Sequence, residues 1–485
     1  MNYLELSINQ AIDEQEIPTF WSEAINSELK KINPIYSSSR INLVKKPFVT
    51  IDGKDAKDFD DAILCEQKTN GFTLWVAIAD VAEVVIENSA LDKEALKRGT
   101  SIYFPNYVIP MLPEKISNDV CSLVPNKKRN VLVCKIEFNL KAEIESFEFL
   151  EAIISSHKRF TYSEIANYSE NNSIVTSSLE CLKILTNKLL KNRLNRNALE
   201  IDSQEPSLIV DNDGNLKEIN LPKRLFAHQM IEESMIAANI CAAKFIKKNL
   251  GFGIYRIHEE PDFLKIENLK KFFSLKGHSS KNFDNPVEQI NSFVKHSNKA
   301  QEKKIFNVLI LQSLKRASYS IQEVGHFGLQ LNQYTHFTSP IRRYPDLIAH
   351  RLIKSILNNS KLEVTKDKYE ETLHDLSDLE KKAEIASRQV TQQMICFGLK
   401  KFIGEEFSTY IVGVTEFGLF CEIENFFISG LIHVSDLQKD RYIFDSQANI
   451  LKGRRTGKIF RIGQKIKVQL VNVLPEERKI TLVPK

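Results

Sequence analysis

The chain has 485 residues, with 66 Lys and Arg against 62 Asp and Glu for a formal net charge of +4, and 42% of its residues are hydrophobic. That length and balance describe a globular protein with a large domain and at least one smaller one, and exclude a chain that binds nucleic acid by overall charge alone; any basic surface must come from uneven distribution. Its cysteines, odd in number and set in apolar stretches such as Val131-Leu132-Val133-Cys134, have no zinc-site spacing and read as reduced thiols of a cytoplasmic protein; neither a signal peptide nor a membrane-spanning run is visible.

Residues 1–46 read as a helical, linker-like segment, with Glu, Ala, Leu and Lys concentrated between Thr19 and Ile32, followed by Asn33-Pro34 and a turn at Ser37-Ser38-Ser39. From Pro47 the pattern changes to strands at 48–51, 62–65 and 73–78, the last preceded by the turn pair Asn70-Gly71. Between about 155 and 400 the apolar period is mainly helical, as in 230–239 and 366–399, so residues 47–400 read as one α+β domain of mixed sheet and helix. From Gly404 short alternating strands return at 409–414, 418–423, 430–434, 465–471 and 479–482. Five strands within 404–485 predict a small all-β barrel of the OB-fold type.

The most informative stretch is Ile51-Asp52-Gly53-Lys54-Asp55-Ala56-Lys57-Asp58-Phe59-Asp60-Asp61-Ala62, an acidic loop between two apolar strands. Two like charges about 4 Å apart repel by roughly 4 kcal/mol at an effective dielectric near 20, so the crowding needs a compensating charge. Hard divalent cations prefer carboxylate oxygen, and magnesium keeps room for waters and substrate phosphate. An EF-hand is excluded, because Lys57 stands where such a loop needs glycine and the flanks are strands. A second constellation, Phe337-Thr338-Ser339-Pro340-Ile341-Arg342-Arg343-Tyr344, predicts a helix start at Thr338 to Pro340 that places both arginines at the positive end of a helix dipole, where phosphate binds.

Both constellations, with Tyr103-Phe104-Pro105, Ile109-Pro110-Met111-Leu112-Pro113, Cys121-Ser122-Leu123 and Ile231-Glu232-Glu233 in the same order, resemble the catalytic (RNB) domain of the ribonuclease II and ribonuclease R family. The resemblance implies a processive, hydrolytic 3′ to 5′ exoribonuclease that releases nucleoside 5′-monophosphates. It implies Asp52, Asp58 and Asp61 as ligands of Mg2+, with Mn2+ as the alternative, and Asp60 as the carboxylate needed for cleavage but not for binding. Arg342 is implied at the scissile phosphate, with Arg343 as a helper. Tyr103 and Phe252 resemble aromatics that stack on bases at the 3′ end. The C-terminal barrel resembles the S1 type of RNA-binding domain, with Phe417, Phe420 and His433 as the stacking platform and a basic tail that includes Arg454, Arg455, Lys458 and Arg461.

The implied partner is single-stranded RNA with a free 3′ end, acted on by a monomer without ATP. No P-loop is present, since Gly453 to Gly457-Lys458 has the wrong spacing. Long members of the family carry two cold-shock barrels ahead of the catalytic domain, and the residues before Pro47 are too few for one. The acidic stretch and arginine pair lean towards ribonuclease R, and Gly251-Phe252-Gly253-Ile254-Tyr255 towards ribonuclease II. The rival reading is a nuclease-inactive RNA-binding scaffold of the same fold; a phosphohydrolase of small nucleotides fits the barrel and its basic tail less well.

Overall fold

The structure is a computed structural model that describes residues 2–34, 36–166, 168, 173–201, 206–275, 285–296, 300–361, 365–437, 440–446 and 449–485. It opens with α1 (Tyr3–Gln15) and α2 (Glu23–Lys31), each started by a side-chain cap, Asn2 and Ser22. Only α2 falls in the stretch whose composition predicted a helix. Helix α1 carries its signal in the spacing of Leu4, Ile8 and Ala11, which are buried.

The large domain is built on one sheet, with strands β1 (Ile41–Asn42), β2 (Val49–Asp52), β3 (Asp61–Lys68) and β4 (Gly71–Ala79). After α3 (Ala90–Arg98) and the small hairpin β5 (Ile102–Phe104) and β6 (Tyr107–Ile109), it continues with β7 (Lys128–Asn139), β8 (Ile144–Ser155) and β9 (Lys158–Thr161). The order is β1-β8-β7-β4-β3-β2-β9, antiparallel except at its two edges, where β1 runs parallel to β8 and β2 parallel to β9. Every residue of β4 is buried, which is why it reads as a continuous apolar run and not an alternating one.

Helices α4 (Tyr162–Ile165), α5 (Ile174–Asn195) and, after the hairpin β10 (Ser207–Val210) and β11 (Leu216–Asn220), α6 (Phe226–Leu250) follow. Helix α5 packs on β3 and α6 on β4 and β7. Then come β12 (Tyr255–Ile257), the trio α7 (Phe263–Leu275), α8 (Pro286–His296) and α9 (Ala300–Ser313), and β13 (Ser318–Ser320), which pairs with β12. Helix α10 (Tyr344–Leu357) packs against α6 and β8, and the 34-residue α11 (Lys366–Leu399) leads to the barrel. Among the described residues no helix is long and apolar enough to cross a membrane, and all seven cysteines are free and buried.

The barrel closes as β14 (Glu406–Thr415), β15 (Gly418–Ile423), β16 (Ile428–His433), β21 and β20, the last two spanning Lys479–Pro484 and Lys465–Leu474. These are the five strands expected. Between β16 and β20 the chain adds a three-stranded sheet, β17 (Tyr442–Asp445), β18 (Ile450–Gly453) and β19 (Ile459–Arg461), whose strands are too short to show an alternation pattern. Helix α1 braces barrel and body together: Gln10 donates to the Glu476 carbonyl at 2.9 Å and Glu14 pairs with Arg478 at 2.9 Å, while α1 lies along α11.

Candidate active site and nucleic-acid interface

The acidic loop is fixed from several sides. Asp52 ends β2, whose partner β9 sets Thr161 opposite it, and Asp61 begins β3 opposite Ile78. Between them the Phe59 N–H donates to the Ser122 hydroxyl at 3.1 Å, that hydroxyl donates to the Lys57 carbonyl at 2.6 Å, and the Leu123 N–H donates to the Phe59 carbonyl. Arg159 donates to the Gly53 and Lys54 carbonyls, both at 2.6 Å. A loop held this way cannot relax its charges apart by swinging into water.

Their electrostatics record that constraint. Burial raises the Asp52 carboxyl above the usual range, with the Asp58 charge adding to it. Burial raises Asp60 well above it, against the pull of Arg342. Burial and the Asp52 charge push Asp61 up to about 7. A divalent cation bound to crowded carboxylate oxygens of this kind would relieve their mutual repulsion, displacing the protons they otherwise hold.

The arginine segment meets this loop directly. Asp60, only 4% exposed, accepts the Ile341 N–H at 2.8 Å through Oδ1, and its Oδ2 lies 3.6 Å from Arg342 Nε. Arg342 keeps 42% of its side chain exposed, and its Nη2 donates to the Ser339 hydroxyl at 2.9 Å.

The expected helix start is corrected: α10 begins at Tyr344, with Arg343 as an extended cap and Pro345 in the first turn. A helix begun at Thr338 would put Pro345 in its interior, where it lacks a donor and clashes with the preceding turn. Both arginines therefore precede the helix. Arg343 turns inward to Asp346 at 2.7 Å, and the Asp346 side chain has no exposure. Burial opposes the Arg343 charge, but Asp346 more than restores it, raising the guanidinium above its ordinary value. Arg343 thus shapes the loop from beneath, and Arg342 is the arginine that faces outward.

Of the aromatics, Tyr103 lies on β5 with 42% exposure and donates its hydroxyl to Asp58 Oδ2 at 2.8 Å, so its ring stands at the edge of the acidic loop. Phe252 follows the C-terminus of α6, half-buried, with its ring 6.0 Å from that of Tyr369 on α11, a packing position. Two residues the sequence reading missed border the cluster: Arg159, and Tyr162, whose phenol is raised by burial and by the charges of Asp52 and Asp61 and whose ring stacks on His228 at 3.9 Å. The signal for them is the parallel pairing of β9 with β2, which spacing along the chain does not reveal.

On the barrel, Phe417 and Phe420 meet edge to face at 5.9 Å, and the ladder sets Gly418 beside His433, so these three residues share one end of the β15–β16 hairpin. Arg454, Arg455 and Lys458 sit in the β18–β19 turn, whose backbone is held by Asp440: its carboxylate accepts the Arg455 and Thr456 N–H groups.

Among the described residues, the one group of three carboxylates with oxygens all within 4.8 Å is elsewhere, at Asp80, Glu83 and Glu151. Arg40 and Lys354 already occupy it, at 2.6 and 2.7 Å from Asp80, so it is an ion-pair cluster and not a metal centre.

The chain matches the RNB domain over residues 40–359 and the S1 RNA binding domain over residues 400–483. It is 39% identical over 502 residues to ribonuclease R of Buchnera aphidicola subsp. Schizaphis graminum, covering 98% of this chain and 68% of that protein. It superposes on Mycoplasma genitalium RNase R, solved in complex with ribose methylated single-stranded RNA, with a TM-score of 0.94 at 31% identity, over 99% of this chain and 78% of that one. Yeast Ssd1, described as a pseudonuclease, shares the fold alone, with a TM-score of 0.72 at 20% identity over 86% of this chain and 54% of that one.

Proposed function

This chain belongs to the RNB-domain family of exoribonucleases, beside the ribonucleases R, and on that premise we propose that it hydrolyses single-stranded RNA processively from a free 3′ end to nucleoside 5′-monophosphates. The observation that carries the reading is the Asp60–Arg342 pair set among Asp52, Asp58 and Asp61. A fold shared with a pseudonuclease does not by itself specify turnover, and these side chains are what supports turnover in this chain.

In this reading Asp52, Asp58 and Asp61 would hold magnesium, with manganese as a substitute, and the ion would supply charge neutralisation at the phosphate when bound. Asp60 Oδ1 is committed to the Ile341 amide, which leaves Oδ2 to orient the attacking water and take its proton. Arg342, steadied by Ser339, presents its exposed edge to the charge that develops on the phosphate oxygens. Tyr103 offers its ring to the terminal base while its hydroxyl stays on Asp58. Phe417, Phe420 and His433 stack further bases, and Arg454, Arg455 and Lys458 attract the backbone without reading sequence. The chain works as a monomer and draws on no ATP.

The test is a 5′-labelled single-stranded RNA incubated with magnesium and either the wild type or Asp60→Asn. Progressive 3′ shortening by the wild type alone, with binding retained in the variant, supports the reading. Binding without shortening in both would favour the inactive scaffold.

A further inference from the structure

Strand β3 and helix α5 meet through two thiols that play no part in the acidic site. Cys65 and Cys181, 116 positions apart in sequence, bring their Sγ atoms to 3.0 Å. The approach does not rest on two rotamers alone. The Cys65 N–H donates to the Ser178 hydroxyl at 3.0 Å, and Ser178 lies one turn before Cys181 on the same face of α5, so strand and helix are held in register where the sulfurs meet. Both residues are buried, Cys65 at 1% exposure and Cys181 at 5%. A disulfide holds its sulfurs at about 2.05 Å, so closing the bond takes a movement of about 1 Å, within reach of side-chain rotation.

The pair also has the asymmetry that thiol oxidation uses. A hydrogen bond from Cys65 favours the thiolate of Cys181 and holds that thiol below its ordinary value, against the effect of burial. The same bond raises Cys65 and keeps its proton in place. A thiolate is the nucleophile towards a peroxide, and a second thiol in contact with it resolves the product. The other close pair, Cys134 and Cys241, shares a hydrogen bond too, but neither residue has any exposure.

We propose that Cys65 and Cys181 are an oxidisable dithiol, a modification site at which hydrogen peroxide closes an intramolecular disulfide between sheet and helix. The Cys181 sulfur attacks one peroxide oxygen; an S–O bond forms as the O–O bond breaks, and the departing hydroxide takes up the proton that Cys181 gave away and leaves as water. The Cys65 sulfur then attacks the sulfur of that sulfenic acid; the S–S bond forms, the S–O bond breaks, and a second water leaves with the Cys65 proton. The two thiols are oxidised by two electrons and the peroxide is reduced by the same two. The bond fastens α5 to the strand whose first residue is Asp61 and closes a long loop of chain, so it constrains the unfolded ensemble far more than the folded one.

The test uses the full chain, reduced, freed of reductant and exposed to hydrogen peroxide in its native state, then denatured, alkylated and digested without reductant for mass spectrometry. The expected result is a cross-linked peptide pair holding Cys65 and Cys181, with Cys134 and Cys241 recovered alkylated, and a thermal midpoint raised by about 5 °C that dithiothreitol returns to its starting value. Cys65→Ala and Cys181→Ala should each lose both the cross-link and the shift, and either one that folds with the parental circular-dichroism spectrum is a sufficient control. Recovery of both cysteines alkylated, a bond at Cys134–Cys241 in place of the expected one, or a cross-link that leaves the midpoint unmoved overturns the proposal. None of these readouts depends on RNA cleavage, so the exoribonuclease reading stands or falls separately.

Discussion

The Asp60 carboxylate accepts the Ile341 amide hydrogen at 2.8 Å across 281 positions of sequence, and one residue later Arg342 turns its guanidinium back to within 3.6 Å of the same carboxylate. One backbone donor thereby fixes the distance between an acid and an arginine carried on different halves of the domain. The orientation of Arg342 has a second determinant, the Ser339 hydroxyl at 2.9 Å.

Ser339→Ala removes that hydroxyl and nothing of the backbone turn. Losing one charge-assisted hydrogen bond of about 1.5 kcal/mol predicts roughly a tenfold fall in kcat with KM little changed, and Ser339→Thr should recover most of it. Single-turnover and steady-state cleavage of a short RNA would check both; a change confined to KM would contradict the positioning role.

Asp346 is a different case, because it accepts from the Ser339 N–H and the Arg343 guanidinium while having no exposure. Asp346→Ala leaves a half-buried arginine without its counter-charge and the Ser339 amide without its acceptor, and a loss of about 3 kcal/mol in unfolding free energy is expected by urea titration. Replacing both Arg343 and Asp346 by apolar residues should cost less stability than the single change.

His350 gives a pH dependence of defined sign. Burial lowers its pKa to about 4, and its Nε2–H donates to the Phe337 carbonyl at 2.8 Å, so the folded state holds the neutral ring. A histidine lowered on folding contributes stability that is complete above its unfolded value of about 6.5 and declines as pH falls towards the folded one, by at most about 1.4 kcal/mol per pH unit. Asp61, raised to about 7, works in the opposite direction, so the comparison must be between proteins. Wild type should lose more stability than His350→Gln between pH 6.5 and about 4.5, as read by urea midpoints; parallel curves would rule the contribution out.

Metal dependence follows from the crowded carboxylates. Magnesium should raise the thermal midpoint of the wild type and restore cleavage after chelation, whereas RNA binding should survive the chelator. Asp61→Asn removes one of the repelling charges at the loop, so it should weaken the magnesium-induced shift while sparing or raising the midpoint without metal. An equal shift in both proteins would place the ion elsewhere.

Local sequence determined the elements whose signal is periodic or covalent: the five barrel strands, the helices spanning 230–239 and 366–399, and the acidic loop pinned between two apolar strands. It could not determine the start of α10, because Thr338-Ser339-Pro340 is a plausible cap until Pro345 is weighed against it. Nor does residue spacing separate Arg342 from Arg343, which the family resemblance alone ranked: adjacent residues of one type differ in what lies on each side of the backbone, which is solvent and Asp60 for one and the buried Asp346 for the other. Tyr162 and Arg159 reach the acidic loop through the parallel pairing of β9 with β2. Those relationships depend on contacts between distant segments, so the tertiary fold alone decided them, while the residue chemistry that makes them useful was written along the chain.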